Sequence, residues 1–566
     1  MATSSGIVGE EARLKERRST LAVSGLALIL MVGLGFILGK TYNPAPTVLI
    51  ANVVLYLGAA CLQTAIAYVL ATRRLIPEPE PRFVVAAAFV ISLVLALTTV
   101  SIWPNSGDEY GYIYMAETFL HGRLWNAVSP IPELFDFFWI FDKDGIRISQ
   151  YAPGWPLILA PFVAVGLQAL ASPLALVAFG AILVEGFKRL AVPTKGIGAL
   201  LVLVLLTPFA LFNGASLFPM MTAAALVLGV CVLQLRDDET STFGRRAVIG
   251  FWFSVLLATR YEIFALTLAC FVIERVWRRR LRFSADAVAY VAGALPLTAM
   301  FFAYNAVITG NPLQTTISWL RPDYGIGLNA MGDTYRHTLT MAVLNERTWL
   351  GLLCQYGGLA LLILYAVAFG LKVRARKLRF FDFLPLTAFS FFFFFPEIGG
   401  HQFGPRYWLF AIGPTALTAA SLPIDPGGWL ALEGRRVHLA TFAAWHLAGF
   451  AVMIAVVAID FRYYVDERRE VLTTLPPVTP SVILIPSREL TTHQWQSRPD
   501  LALSMDFTRN GTDFSGPILY GRADVPRAAE LACGMRKRAV FIWRNAGDLQ
   551  RIDCDQLLAP APVPAK

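Results

Sequence analysis

Long apolar runs recur along this chain, and they decide what it can fold into. Stretches of roughly sixteen to twenty-five residues with few charges are long enough for α-helices to cross a bilayer. Only 15% of the 566 residues are charged, against about a quarter in soluble domains. Taken in order, the runs give about thirteen crossings: Leu21–Leu38, Val48–Ala71, Phe83–Trp103, Pro173–Phe187, Ile197–Phe212, Phe218–Leu235, Val248–Ala258, Ile263–Val276, Ala287–Ile308, Trp349–Leu371, Phe381–Phe395, Tyr407–Leu422 and Leu439–Ile459. The expected fold is a membrane all-α polytopic helical bundle over residues 1–459, with a polar segment, 460–566, after it. Cys61, Cys231, Cys270 and Cys354 fall inside these runs, where a thiol behaves as a small hydrophobe.

The net charge of +9 is not a nucleic-acid signature, because the basic residues sit in short segments between apolar runs. With the N-terminus in the cytoplasm, Arg13–Arg18, Arg73–Arg82, Lys188–Lys195, Arg236–Arg246, Arg275–Arg282, Lys372–Arg379 and Arg435-Arg436 all face it. The opposite side has few basic residues over much longer loops, which is the positive-inside pattern. The first run lacks a small-x-small cleavage site and is long for a signal peptide, so it reads as an uncleaved anchor. These features predict a multi-pass inner (plasma) membrane protein whose partners are membrane lipids, with a periplasmic C-terminal domain.

The first outer loop, 104–172, opens on GDEYGYIYMAETFLHGRLW, Gly107–Trp125. Asp108 and Glu109 lead a short helix that stops at His121-Gly122, where Gly supplies the left-handed position. Trp155–Leu170 reads as a helix lying in the membrane interface, started by Pro156. Val248–Val276 has basic ends and Arg260-Tyr261-Glu262 in its middle, so it reads as two short helices meeting near the outer face. Further outer loops are Thr309–Glu346 and Glu397–Arg406. The tail has short apolar runs, Val482–Ile485, Ile518–Tyr520 and Ala539–Trp543, and reads as a small α/β domain of about 100 residues, a size able to fold alone.

The notable polar groups crowd the outer face: Asp108, Glu109, Arg260, Glu262, Arg321, Asp323, His401 and Arg406. A carboxylate suits general-base work on an attacking hydroxyl. Arginine suits phosphate, since its guanidinium forks onto two oxygens and stays charged. Each residue also has a plain structural use. Asp108 or Glu109 can cap its helix, Arg260 and Glu262 can pair with each other, Arg406 can snorkel, and His401 can be a loop donor. The chemical reading is group transfer from a phosphate-bearing lipid, with Asp108 and Glu109 catalytic and Arg260 and Arg406 on the donor phosphate. Tyr112, Glu262, Arg321, His401 and Tyr407 are then the candidates to bind substrate.

GDEYGYIYMAETFLHGRLW, then YAPGWP (Tyr151–Pro156) and an interfacial helix, resembles the first outer loop of the glycosyltransferase C superfamily. The likeness is to bacterial relatives of the dolichyl-phosphate-mannose protein mannosyltransferases and the lipid A aminoarabinose transferases. ATRYE (Ala258–Glu262), YNAVITGNPL (Tyr304–Leu313) and FGPRYW (Phe403–Trp408) also resemble segments of these relatives. The resemblance implies a glycosyltransferase C fold and Asp108 as catalytic base, with Arg260 and Arg406 near the lipid phosphate. The implied activity is transfer of a sugar from a polyprenyl-phosphate donor to an acceptor hydroxyl on the periplasmic face. Whether the acceptor is a glycan, lipid or protein stays open, as do the sugar and any need for a divalent cation. The alternative from another class is a transporter or flippase for a lipid-linked or anionic solute.

Cys533 and Cys554 are the two cysteines of the tail. A periplasm is oxidising, and disulfides persist there, so the expectation is a Cys533–Cys554 bridge worth roughly 3 kcal/mol in the chain-entropy model. Thiol labelling of the denatured, unreduced protein should leave both unlabelled. Labelling of both without reductant would exclude the bridge, and labelling from the cytoplasmic side in intact cells would overturn the topology.

Overall fold

The computed structural model describes residues 79–421, 473–485 and 510–558, apart from short internal stretches. The expected crossings Leu21–Leu38, Val48–Ala71 and Leu439–Ile459, and the candidate His401, lie outside the described residues.

In chain order, α1 (Pro81–Leu95) continues through a π-helical turn, Ala96–Val100, and α2 is Gly107–Leu120. The first loop then forms β1 (Asn126–Ala127), α3 (Pro132–Phe135), β2 (Ile140–Lys143), β3 (Ile146–Ser149) and α4 (Gly154–Ala164). Next come α5 (Ala171–Arg189), α6 (Thr194–Leu205), α7 (Pro208–Ala215), α8 (Met220–Glu239), α9 (Phe243–Thr259), α10 (Tyr261–Trp277) and α11 (Ala285–Thr309). After α12 (Thr316–Leu320) follow α13 (Leu339–Gln355), α14 (Leu359–Arg374), α15 (Phe380–Phe392), a 3-10 turn at Arg406–Ala411 and α16 (Ile412–Ala420). The tail holds β4 (Ser481–Ile485), β5 (Ile518–Arg522), α17 (Ala528–Cys533), β6 (Ala539–Asn545), β7 (Asp548–Arg551) and α18 (Cys554–Leu558).

Two units divide these elements. The first takes Met1–Ala96, Ser172–Ala303 and Asp323–Ala458; the second takes Leu97–Ala171, Tyr304–Pro322 and Ile459–Lys566.

The first unit is helical, and its surface is that of a membrane protein. Along α11, Val288, Val291, Leu295, Met300 and Val307 are each 57–63% exposed. That is an apolar stripe with no protein over it, which water would penalise and lipid would not. Four helices among the described residues are long and apolar enough to cross a membrane, or five if α6 and α7, bent by 61°, count as one.

The bend illustrates how broken helices survive without water. Pro208 starts α7, and Thr207 caps it by accepting from Ala210 N at 3.1 Å. Phe209 N–H, still without an intrahelical acceptor, donates to Tyr356 O at 3.2 Å. Tyr356 is itself the C-cap of α13, so two helix breaks satisfy each other.

Charges in this unit are sorted by end. Glu185 pairs with Arg189 at 2.9 Å and Arg236 at 2.7 Å, Asp237 with Arg246 at 3.2 Å, and Asp238 with Arg275 at 3.6 Å and Arg379 at 3.5 Å. The basic segments assigned to one side by charge alone therefore meet at one end of the bundle. Arg260, at the far end of α9 from Arg246, lies at the other.

Three differences from the sequence reading have local causes. Trp349–Leu371 is two helices, and α13 begins at Leu339, capped by Thr338 accepting from Met341 N at 3.3 Å. The polar trio Asn345-Glu346-Arg347 lies inside that helix, so the outer loop ends before it. The helix expected over Trp155–Leu170 stops at Ala164. Gly166, at φ +70°, terminates it, with Leu167 N donating to Phe162 O at 2.8 Å as in a Schellman motif. The hairpin β2–β3 inside the first loop has no counterpart in the sequence reading. Asp144 and Gly145, both at positive φ (50° and 83°), form its two-residue turn. Asp142 and Arg147, opposite each other across the strands, pair at 2.7 Å.

In the second unit the tail strands form one mixed sheet of order β5-β4-β6-β7, parallel except for β7. β4 is buried on both faces. Val482 and Leu484 pack with Leu134, Phe135, Ala528 and Ala532, while Ile483 and Ile485 pack with Tyr110, Tyr114, Trp139, Tyr520 and Trp543. Each face is thus closed partly by the first loop. Cys533 and Cys554, with Cα atoms 5.4 Å apart, form a disulfide joining α17 to α18.

A buried ionic knot ties α14, α15 and α16 together. Asp382, 0% exposed, accepts from Lys372 Nζ, from Thr418 Oγ1 at 2.7 Å and from Arg379 N at 2.6 Å. Breaking one partner of such a pair typically costs about 3–5 kcal/mol, whereas replacing both with apolar residues can be neutral. Lys372→Met should therefore lower the thermal midpoint in detergent by several degrees, and the Lys372→Met/Asp382→Leu pair should recover most of it.

Candidate active site

Asp108 owes its place to the start of α2. Ser106, extended at φ −151°, is the N-cap, and its hydroxyl accepts from Glu109 N at 3.3 Å. Ser-Gly-Asp-Glu has capping-box spacing, and the serine half is made. Neither acid is therefore the N-cap. Asp108, one position beyond Gly107, is half-buried, and Glu109 is 0% exposed. Both sit in the first turn, where the helix dipole favours negative charge. The helix ends as its glycine indicated: Gly122 has φ +67°, and Arg123 N donates to Thr118 O at 3.1 Å.

The first two turns of α2 carry two glycines on one face, Gly107 and Gly111. A Cβ on Gly107 would lie 1.8 Å from Trp139 Cδ1, and one on Gly111 would lie 2.7 Å from Tyr151 Cε2 and 2.8 Å from Ser149 Oγ. The backbone of α2 thus meets the hairpin side chains directly. Tyr112 packs against Tyr151 with ring centroids 4.3 Å apart and planes tilted by 41°, and the Tyr151 hydroxyl donates a hydrogen bond to Asp108 Oδ1. Tyr114 faces the tail sheet and accepts from Asn126 Nδ2 at 2.9 Å, and burial pushes its phenol up to about 12.

Arg321 joins this neighbourhood across Trp139, its guanidinium 6.0 Å from the ring. Lys143 donates to Trp319 O at 2.6 Å and lies 4.7 Å from that indole centroid. Trp319 and Leu320 pack with Met115, Ile148, Tyr304 and Ile308, which docks the 304–322 segment onto α2 and the hairpin.

The first unit holds a second group. Arg260, between α9 and α10, pairs with Glu262, and its guanidinium lies 5.5 Å from the Tyr407 ring. Arg406 lies 5.5 Å from the same ring and 4.2 Å from that of Phe218. It is 6% exposed, unlike a snorkelling side chain whose head lies in water. Tyr407 is stacked on Phe392 at 5.3 Å. Glu262 thus pairs with Arg260, and both guanidinia lie within 5.5 Å of the Tyr407 ring at a partly dry position, each a planar fork of the kind that suits a phosphate.

The candidates therefore fall into two groups. Asp108, Glu109, Tyr112 and Arg321 belong to the second unit, while Arg260, Glu262, Arg406 and Tyr407 belong to the first. Asp323 is exposed. The sequence reading missed Tyr151, Gln150 and Trp139. The available signals were the glycines four apart in GDEYG, which expose a backbone face, and Asp-Gly between two apolar runs, which marks a hairpin. Among the described residues no three His, Cys, Asp or Glu side chains gather as a metal site.

No family model and no curated protein matches the sequence. Solved structures do match. ArnT from Cupriavidus metallidurans bound to undecaprenyl phosphate aligns with TM-score 0.51 at 14% identity, over 81% of this chain and 92% of that one. The same protein in the apo state aligns with TM-score 0.49 at 14% identity over the same shares. The apo oligosaccharyltransferase of Archaeoglobus fulgidus gives TM-score 0.44 at 10% identity, over 82% of this chain and 69% of that one. The chain is thus a mainly helical membrane protein with an ArnT-like fold and a small mixed-sheet tail. This is the fold that the glycosyltransferase C resemblance implied.

The α2–hairpin contact is open to test. Gly107→Ala must displace Trp139 or the helix, at a cost of about 1–3 kcal/mol. Thermal unfolding should show that loss, and adding Trp139→Leu should relieve part of it.

Proposed function

We propose that this protein is an integral-membrane glycosyltransferase that moves a sugar from a polyprenyl-phosphate carrier to an acceptor hydroxyl. The observation that carries the reading is the placement of Asp108 in the first turn of α2, hydrogen-bonded by Tyr151, within a chain of ArnT-like fold. That ArnT structure contains undecaprenyl phosphate, and the same kind of ligand suits the Arg260–Tyr407–Arg406 group here.

Asp108 accepts the acceptor's hydroxyl proton. The acceptor oxygen forms its bond to the anomeric carbon as the bond from that carbon to the phosphate oxygen breaks. The phosphate leaves with the electron pair, and Arg260 and Arg406 stabilise its charge. A single displacement of this kind inverts the anomeric centre. Polyprenyl phosphate is the second product.

A folded Asp108→Asn variant should lose sugar transfer in membranes by about a thousandfold. It should still be stabilised by undecaprenyl phosphate, whereas Arg260→Met and Arg406→Met should lose that stabilisation. Turnover by Asp108→Asn close to wild type would exclude it as base. Comparing the envelope glycans and glycolipids of cells with and without the protein identifies the missing sugar and its acceptor.

A further inference from the structure

Tyr151 has no role in the step just described, yet both its ring and its hydroxyl are held in place. It follows β3 and precedes the Pro153-Gly154 start of α4. Its ring packs against that of Tyr112 at a tilt of 41° and is pressed against the bare backbone of Gly111. Its oxygen accepts from Gln150 Nε2 at 3.3 Å and donates to Asp108 Oδ1. A phenol carries one proton. With the Gln150 N–H taking an oxygen lone pair, that proton is directed at the carboxylate.

Burial and the nearby Asp108 charge hold the Tyr151 phenol well above its ordinary range, so it remains a donor at working pH. Ring and hydroxyl are thus both set before substrate arrives. A carboxylate is planar, so holding one oxygen sets the direction of the other.

We infer that Tyr151 is the positioning residue of this site, with Gln150 behind it, and that it aims the Asp108 carboxylate at the acceptor hydroxyl. This rests on Asp108 being the base. Tyr151 touches no reacting atom, and its contribution is orientation. Misplacing a catalytic group by about 1 Å can cost 100-fold in rate.

The test is a double-mutant cycle in membranes carrying the full-length chain. The donor probe is the polyprenyl-phosphate-linked sugar fraction extracted from cells that lack the protein. Transfer is followed into the envelope material of the same membranes. Tyr151→Phe keeps the ring packing and removes only the donor. It should lower kcat about 10- to 100-fold and change KM for the donor fraction by less than about threefold. Stabilisation by undecaprenyl phosphate should persist. Tyr151→Phe/Asp108→Asn should be no slower than Asp108→Asn alone, because a residue acting through Asp108 has nothing left to act on.

Wild-type kcat in Tyr151→Phe, with Asp108→Asn inactive, overturns the positioning role and leaves the base assignment standing. So does a double variant slower than Asp108→Asn by the full Tyr151→Phe factor. Loss of undecaprenyl phosphate stabilisation together with turnover marks a structural role and overturns the inference. Near-wild-type turnover in Asp108→Asn overturns the base assignment itself, and the positioning role with it.

Discussion

The backbone of α2 touches the side chains of the hairpin with no Cβ between them, and the position of Asp108 follows from that contact. Gly107 admits the edge of Trp139, and Gly111 admits Tyr151 and Ser149. Only at such short range does the Tyr151 hydroxyl reach the carboxylate one residue beyond Gly107. On another side of α2, Tyr110 and Tyr114 are buried with Ile483, Ile485, Tyr520 and Trp543 of the tail sheet. Met115 is buried among Ile148, Tyr304 and Ile308. A helix of fourteen residues is marginal alone in water, and here packing from three segments distant in sequence fixes it.

The helical unit meets a different constraint, the absence of water around most of its surface. Its backbone breaks where polar groups can be satisfied internally. The start of α7 and the end of α13 pair through Phe209 N and Tyr356 O, and Arg260 N, at the α9–α10 break, donates to Leu256 O at 2.7 Å. The ion pairs of Glu185, Asp237 and Asp238 gather at one end, and the Arg260–Glu262 pair with Tyr407 and Arg406 sits at the other.

How much of this was legible depends on which physical signal each element left in the chain. Helices facing lipid are read from apolar length alone, and the Arg260 break from the charged pair Arg260 and Glu262 inside an apolar run. Asp108 and its helix were legible because Gly107–Gly122 carries both an acidic first turn and a glycine stop. The start of α13 was hidden because Asn345-Glu346-Arg347 resembles loop while lying within a helix. The hairpin was hidden because its strands, four residues each, are shorter than any periodicity window, although Asp144-Gly145 marks the turn. The run Ser-Val-Ile-Leu-Ile shows a strand covered on both faces, but nothing local states what covers it. The sheet of the tail shares both its cores with a loop that begins more than three hundred residues earlier.

That long-range core has a consequence for how the candidate site is assembled. Tyr110 and Trp543 are buried together, yet more than four hundred residues lie between them. Closing a loop of that length costs only slowly more than closing a short one, so the pairing is thermodynamically affordable once the bundle exists. Its order is nevertheless imposed, because α2 cannot gain its sheet-side wall before the last strands are present. The disulfide joins α17 to α18 around β6 and β7, which restricts the unfolded tail before it meets the loop. The tail is therefore structural support for the Asp108 helix whatever else it binds. The candidate site is therefore assembled over a long stretch of sequence, with Asp108 on α2 and part of the wall that holds that helix, Tyr520 and Trp543, in the tail sheet.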